Sequence, residues 1–233
     1  MDNKISIILS TYNEANCIED TIKKLKDNIP NLELVIVDDN SPDGTFEILK
    51  KFESKDIKII NRKSTRGLAS AFLCGMLYTT GDKIGWIDSN MGKLASKFPE
   101  MIKELVFNDL VLLSRYTENG SDRRNIIRII FSVTINKLCN IFLTNKIKDF
   151  TSSIFIMNKR VLEKVVPISY GHGEFFIEFL FNCHKKKIKI KEIPYIQIND
   201  SYGNSKTAPN IFNFIYMGLF YLIRIFLSII RRN

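Results

Sequence analysis

The segment LELVIVDDNSPDGTFEILKKFES, residues 32–54, contains the features from which the fold of this chain can be predicted. Its first six residues are almost entirely apolar, which is typical of a strand covered on both faces of a parallel sheet. Two aspartates and a Ser-Pro-Asp-Gly turn follow, and the remaining residues show the apolar spacing of a helix. Strand, turn and helix in this order form the repeating unit of doubly wound α/β sheets.

The same unit recurs along the first half of the chain, and strands and apolar helices continue in the second half. We predict strands at ISIILS, IKIINR, KIGWID, LVLLSRY and IKIKEIPYIQI, and helices at TYNEANCIEDTIKKLKDNI, LASAFLCGMLYTT, RRNIIRIIFSVTINKLCNIFL and GEFFIEFLFNCHKKK. The sequence therefore predicts an α/β, Rossmann-like fold in which a mostly parallel sheet is flanked by helices. In such sheets, ligands bind outside the carboxyl ends of the strands.

The composition limits the partners and the redox environment. Of the 233 residues 45% are hydrophobic, enough for a sizeable core, and the formal net charge of +9 favours anionic partners. No platform of aromatic and basic residues accompanies this charge, so nucleic acid is not expected to bind. The cysteines lack the paired spacing of a zinc site and predict reduced thiols in a cytosolic protein. They are Cys17, Cys74, Cys139 and Cys183.

Polar side chains follow the predicted strands and form a candidate binding edge at residues 10–14, 38–40, 62 and 88. In KIGWIDSNMG, Asp88 ends a strand that is otherwise apolar, and a carboxylate there is costly unless it holds a ligand. The acids of VDDNSPDGT can accept hydrogen bonds from a nucleobase or from ribose. Asp43 alone is better explained as a residue that caps the turn.

These motifs resemble glycosyltransferase family 2, and most closely the dolichyl-phosphate mannose synthases and related polyprenyl-phosphate glycosyltransferases. The segments that carry the resemblance occur in the family's order: LSTYNEANCIEDTI, VIVDDNSPDGT, GDKIGWIDSN, LLSRY, DFTSSIF and YGNSK. The resemblance covers residues 5–206. It implies a GT-A nucleotide-binding fold, a divalent metal (Mg²⁺ or Mn²⁺) and a nucleotide-sugar donor, with GDP-mannose expected. The expected domains are a catalytic domain, 1–206, which includes an interface helix at about 124–143, and an apolar membrane-associating helix, 207–233.

The resemblance also implies roles for individual residues. Asp88 and Asn90 fall on the Asp-x-Asp metal motif, and Asp88 and Arg115 are the expected catalytic residues. The expected donor-binding residues are Ser10, Tyr12, Glu14, Val37, Asp39, Asp88, Ser89, Asn90 and Lys206.

Several positions depart from the family pattern and leave a second hypothesis open. Asn90 replaces an acid and removes one negative charge, so we expect weaker metal binding. Ser10 stands where proline is usual, Ser153-Ile154-Phe155 replaces Gly-Phe-Arg, and Asp200 replaces an arginine. The alternative is a catalytically degenerate homologue that binds a nucleotide, a lipid phosphate or a partner enzyme without turnover.

A stripe of polar residues recurs every four positions in RRNIIRIIFSVTINKLCN, which places it on one helix face. From spacing alone, this stripe is equally well explained as a solvated surface. The resemblance implies that Arg128 and Ser132, together with Arg115, bind the phosphate of a polyprenyl or dolichyl phosphate acceptor. Such a phosphate is already ionised, so no residue is assigned to deprotonate it. The members of the stripe are Arg124, Arg128, Ser132, Asn136 and Asn140.

The C-terminal segment Ile211–Ile230 predicts an apolar helix with an arginine inside it. An arginine in mid-segment costs roughly 2.5–3.5 kcal/mol on insertion, and Asn213, Arg224 and Ser228 share one side of the helix. We therefore expect it to lie in the membrane interface, with burial against the domain as the alternative. The expected location is the cytoplasmic face of a membrane, peripheral or C-terminally anchored, where a membrane-anchoring partner subunit could contribute. HKKKIKIKEIP predicts a solvated edge strand.

Overall fold

The computed structural model describes residues 4–199 and 211–231, and of residues 211–215 it describes the backbone. Strands and helices alternate as the sequence predicts. The strands are β1 Ile5–Thr11, β2 Leu32–Asp38, β3 Ile57–Asn61, β4 Lys83–Trp86, β5 Leu110–Ser114, β6 Ser121–Arg123, β7 Phe155–Asn158, β8 Ile190–Pro194 and β9 Ile196–Ile198. The α-helices are α1 Ile18–Asn28, α2 Thr45–Lys50, α3 Leu68–Leu77, α4 Phe98–Glu104, α5 Ile126–Phe142, α6 Phe175–Lys185 and α7 Ile211–Ile230, and 3-10 helices cover Gly92–Lys97 and Lys159–Glu163.

Among the described residues, seven strands form one sheet in the order β3-β2-β1-β4-β7-β5-β8. All of its neighbours pair in parallel except β7, which runs antiparallel between β4 and β5. This arrangement confirms the predicted α/β fold with a mostly parallel sheet. Because β1, β2, β4 and β5 run in one direction, the loops that follow them meet at one edge.

Both faces of the sheet are buried, as the apolar strands predict. Side chains alternate along each strand, so Ile7 and Leu9 point into one core layer and Ile8 into the other. The first layer lies under α1 and α4, and the second under α3, α5 and α6. In the second layer Phe72 packs edge-on against Trp86, with ring centroids 4.9 Å apart.

None of the four cysteines, all of which lie in the described ranges, forms a disulfide. Burial raises the pKa of the Cys139 thiol to about 12 and raises that of Cys183 further. These two thiols therefore stay protonated at neutral pH and serve as apolar packing groups.

The C-terminal helix α7 packs against α5 and α6 through its polar side, as in the alternative of burial against the domain, and its association with a membrane stays a prediction. Arg224 is 4% exposed and its Nη1 donates to Glu178 Oε2 at 2.8 Å, while Ser228 is also buried. Arg231 contacts the other oxygen of Glu178 at 3.3 Å. A buried carboxylate on α6 thus draws the arginine side of α7 toward the protein, and its apolar side faces outward.

The outward side of α7 is rich in large apolar residues. Tyr216, Leu219, Leu222, Phe226 and Ile230 are all exposed. In the described ranges, no helix has both the length and the apolar character needed to cross a membrane. Asn213, although within α7, is described only by its backbone.

Near the start of β2, a buried carboxylate makes stability depend on pH. Burial alone would raise the pKa of Glu33, but hydrogen bonds from Ser6, Thr80 and Lys58 outweigh it and lower the pKa to about 2. A depressed carboxyl pKa stabilises the fold above the unfolded value of 4.5, and this contribution is lost as the pH falls toward 2.

We expect Glu33→Gln to remove about 3 kcal/mol of pH-dependent stability between pH 6 and pH 2. Denaturant unfolding at several pH values in this window would measure it. Glu53→Gln, at an exposed carboxylate, is the matched control and should keep the wild-type slope. An unchanged pH slope in Glu33→Gln would contradict this account.

Candidate active site

The loops after β1 and β2 are tied together by backbone groups of the first and side chains of the second. The N–H groups of Asn13, Glu14 and Ala15 donate to Ser41, Thr45 and Asp43, at 3.0, 2.9 and 3.1 Å. Asp43 also accepts from the backbone and hydroxyl of Thr45 at the start of α2. This confirms its capping role.

The two aspartates that end β2 have separate partners. Asp38 accepts from Thr11 and Ser41 and holds the two loops in place. Asp39 pairs with Arg62 Nε at 2.7 Å and accepts the N–H of Gly67 at 2.9 Å. Asp39 therefore belongs to the binding edge, but in this structure a guanidinium already occupies one side of its carboxylate.

The other predicted donor residues of these strands differ in accessibility. Val37 is fully buried and pairs with Ser10 and Ile60 on the two neighbouring strands, so its contact with a nucleoside stays a prediction. Ser10 and Tyr12 are half-buried, and Arg66 lies over the Tyr12 ring at 4.4 Å from its centroid. The aromatic ring thus carries a cation on one face at this edge of the sheet.

Asp88 lies just beyond β4, between these loops and β7. Burial and the negative charge of nearby Glu14 raise its pKa, although hydrogen bonds from Ser153 and Trp86 act in the opposite direction. Ser153 Oγ donates to Oδ2 at 2.9 Å, and Trp86 Nε1 approaches Oδ1 at 3.4 Å. Among the described residues Asp88 forms no ion pair, so its charge is not offset by any of them.

Ser153 is a site residue that the sequence analysis did not identify. It stands where the family has glycine, and its hydroxyl supplies an additional hydrogen bond to the Asp88 carboxylate. Phe155, where the family has arginine, is 1% exposed and packs against Phe176 in the core. The substitution at position 153 therefore adds a hydrogen-bond donor to the candidate site. The substitution at position 155 instead adds an apolar side chain to the core.

Arg115 is buried in an ion-pair network. Its Nε and Nη2 donate to the two oxygens of Asp149 at 2.8 and 2.7 Å, and Nη2 also donates to Thr151 at 2.6 Å. Its Nη1 lies 3.5 Å from Asp122, which Arg124 also binds. Direct phosphate binding by Arg115 stays a prediction, because these carboxylates hold most of its donors.

The middle of the polar stripe on α5 is buried, which argues against the alternative of a solvated surface. Ser132 and Asn136 are 4% and 3% exposed, and both contact Thr151 Oγ1, at 3.0 and 2.9 Å. Arg128 lies one turn before Ser132 and is half-buried. Arg124 does not belong to the stripe, because Asn125 caps the helix and α5 begins at Ile126.

The predicted site residues therefore form two neighbouring groups. The predicted donor residue Glu14 lies near Asp88, and the predicted acceptor residues Ser132 and Arg115 are joined through Thr151. Ser89 is buried and its carbonyl accepts from Thr21, while Asn90 is half-buried beside it. The predicted residues Lys206 and Asp200 lie outside the described residues.

The family model of glycosyl transferase family 2 matches residues 6–166, more than half of the chain. The chain therefore belongs to glycosyl transferase family 2, as its motifs predict. It is 30% identical over 212 residues to dolichol-phosphate mannosyltransferase of Pyrococcus furiosus, covering 87% of this chain and 59% of that protein. It is also 28% identical to polyprenol monophosphomannose synthase of Mycolicibacterium smegmatis, over 87% of this chain and 80% of the relative.

Solved structures support the same fold. Glucosyl-3-phosphoglycerate synthase from Mycobacterium tuberculosis, in complex with Mn²⁺, UDP and glucosyl-3-phosphoglycerate, superposes with a TM-score of 0.76 at 15% identity. The match covers all of this chain and 82% of that one. At this identity the likeness establishes the GT-A-type fold alone.

Proposed function

We propose that this protein is an inverting glycosyltransferase that moves a sugar from a nucleotide donor to a polyprenyl phosphate. One observation carries the proposal. A buried carboxylate, Asp88, lies at the candidate donor site, and a buried polar face of α5 lies at the candidate acceptor site. Similarity to a dolichol-phosphate mannosyltransferase and a polyprenol monophosphomannose synthase favours mannose as the sugar. The donor that we propose is GDP-mannose, as the sequence motifs imply.

The residues around Asp88 fit a divalent cation. A carboxylate and an amide oxygen are hard ligands, and magnesium often takes one or two carboxylates while phosphates and water complete its shell. Burial raises the pKa of Asp88, and no ion pair to it occurs among the described residues, which supports a site where a cation would stabilise the ionised carboxylate. Asp88 and Asn90 would hold the ion, which would neutralise charge on the departing nucleoside diphosphate.

The acceptor half needs to position a phosphate rather than to activate it. A lipid phosphate is ionised near neutral pH, so its oxygen can attack without a general base once it is correctly oriented. Arg128 supplies charge and Ser132 a hydroxyl on the same face of α5. Inversion follows from a single displacement in which the acceptor oxygen enters opposite the leaving diphosphate.

We expect Arg128→Ala to raise the KM for the lipid phosphate about tenfold or more, since a charge-assisted hydrogen bond contributes roughly 1.5–3 kcal/mol. The KM for the nucleotide sugar should stay within about twofold, because Arg128 is not part of the donor edge. Steady-state kinetics with each substrate varied in turn would measure both constants. Arg123→Ala, which removes an exposed cation nearby, is the matched control. Equal losses for both substrates would contradict the acceptor role.

The apolar outer side of α7, together with exposed Ile126, Ile127 and Ile130 of α5, supports placement at a membrane surface. A lipid-linked acceptor requires such a location, and the basic net charge favours an anionic leaflet such as the cytoplasmic face of a membrane. This surface could serve peripheral binding or attachment through the C-terminal helix, with or without an anchoring partner subunit.

We expect the double variant Leu222→Ser, Phe226→Ser to bind anionic vesicles at least about tenfold more weakly, because each full burial contributes about 1.5–3 kcal/mol. Co-sedimentation with phosphatidylglycerol-containing vesicles would measure the partition constant. Leu77→Ser is the matched control, since Leu77 is 85% exposed at the end of α3, a different helix. A similar loss in the control, or no loss in the double variant, would argue against this surface.

The small number of side chains available to bind a metal favours a second candidate function, that of a homologue that binds substrates without turnover. No cluster of three or more His, Cys, Asp or Glu side chains able to hold a metal occurs in the described part of the chain. Calorimetry of GDP binding with and without Mg²⁺, followed by an assay for lipid-linked product, separates the candidates. Metal-dependent binding with no product would support the second one.

A further inference from the structure

The hydroxyl of Thr151 lies at the centre of the acceptor group. Four polar atoms surround its Oγ1: Arg115 Nη2 at 2.6 Å, Asn136 Nδ2 at 2.9 Å, Ser132 Oγ at 3.0 Å and Asp149 Oδ1 at 3.1 Å. A hydroxyl accepts two hydrogen bonds and donates one. The identities of the four neighbours therefore determine where each proton points.

The orientation of the Asn136 amide is fixed by the backbone. Its Oδ1 accepts the N–H of Phe150 at 2.6 Å, so Nδ2 must be the atom that faces Thr151. The two protons on Nδ2 go to the carbonyl of Ser132, at 2.8 Å, and to Thr151. The guanidinium of Arg115 can likewise only donate. These two donors fill both acceptor positions of the threonine hydroxyl.

Ser132 consequently cannot donate to Thr151. The single proton of Thr151 goes to Ser132 or to Asp149, and in either case Ser132 keeps its own proton for another acceptor. Ser132 Oγ forms no other hydrogen bond within the described residues, although it is 4% exposed. A buried donor without an acceptor is costly and marks the place where a ligand atom belongs.

A second hydroxyl beside Ser132 has the same property. The Oη of Tyr116 is buried and makes no hydrogen bond of good geometry among the described residues, but it lies beside the Ser132 hydroxyl, so these two groups can use at most one of their two protons on each other. Burial raises the pKa of Tyr116, so the phenol remains a donor at neutral pH. At least one O–H donor of this pair therefore remains unused beside Ser132, one helical turn beyond Arg128, which suits an oxyanion.

We propose that Thr151 and Asn136 are positioning residues that direct the Ser132 proton toward an oxygen of the acceptor phosphate. The inference rests on the proposed function, because it assigns the anion to the lipid phosphate. Arg115 acts in the same way through Thr151, which gives this buried arginine a role that does not require contact with substrate.

The test is a mutant cycle that measures binding of a short-chain prenyl phosphate by calorimetry, with the KM values for acceptor and donor alongside. Thr151→Val should weaken prenyl-phosphate binding about tenfold and leave the donor KM unchanged. It should have no further effect in a Ser132→Ala background. Thr151→Ser retains the hydroxyl and should restore wild-type affinity.

Asn136→Ala provides a second route should Thr151→Val fail to fold, because it frees an acceptor position on Thr151 for the serine proton. It should weaken binding in the wild-type background and not in Ser132→Ala. Equal losses in both backgrounds, or no loss, would overturn the inference and leave the acceptor assignment standing. A folded wild-type protein that binds no prenyl phosphate would overturn the acceptor assignment itself.

Discussion

Asp88→Asn is expected to reduce sugar transfer by about three orders of magnitude, because charge stabilisation by a bound cation contributes several kcal/mol to the transition state. The amide keeps the shape of the side chain and the contact with Ser153, so the loss would be of charge alone. The carboxylate carries a raised pKa in the fold, which means that its ionised form is unfavourable there without a cation. Asp88→Asn should therefore be at least as stable as the wild type when no metal is present.

Two readouts separate this role from a structural one. Mg²⁺ with GDP should raise the melting temperature of the wild type and leave that of Asp88→Asn unchanged. Asp82→Asn is the matched control, because Asp82 is exposed just before the opposite end of β4. Equal thermal shifts in wild type and Asp88→Asn would contradict the metal assignment.

Asp149→Asn is expected to lower the free energy of unfolding by about 3–5 kcal/mol, the usual cost of leaving a buried charge without its partner. Arg115 is 3% exposed, and Asp149 binds it through both carboxylate oxygens and also accepts its backbone N–H. The remaining carboxylate near Arg115, Asp122, lies 3.5 Å away and is shared with Arg124. It cannot replace the lost charge.

Denaturant unfolding at neutral pH would measure this cost. Asp109→Asn is the matched control, because its partner Arg160 has a side chain that is 69% exposed, and such a surface pair contributes at most about 1 kcal/mol. Adding Arg115→Met to Asp149→Asn should recover part of the loss by removing the unpaired charge. A loss no larger than that of the control would show that the network does not stabilise the fold.

The fold could be predicted because its signals are local. Apolar strands, turn residues and helical spacing lie within a few residues of one another, so LELVIVDD and the helix after it could be assigned from sequence alone. The antiparallel strand β7 was not predicted. Of its residues Phe155–Asn158, only Phe155 belongs to a motif, and the direction of the strand depends on pairing with β4 and β5, far away in sequence.

The candidate site could be predicted in part for the same reason. Asp88 was identified because a single carboxylate interrupts an apolar run. Its partner Ser153 lies 65 positions away, and Arg115 and Asp149 are 34 positions apart, so no local pattern could reveal these contacts. The side of α7 that faces the protein also could not be predicted. An amphipathic pattern does not reveal whether Arg224 pairs with Glu178 or is exposed to water.

The most direct test of the account is to incubate the purified protein with a polyprenyl phosphate, Mg²⁺ or Mn²⁺ and radiolabelled nucleotide sugars, one at a time, and to measure lipid-linked product. We predict metal-dependent product from one donor, GDP-mannose, and at most a trace with Asp88→Asn. Folded protein that forms no product from any donor, beside an active control enzyme, would contradict the proposed function and support the substrate-binding homologue. Asn90→Asp would then show whether a second carboxylate restores transfer.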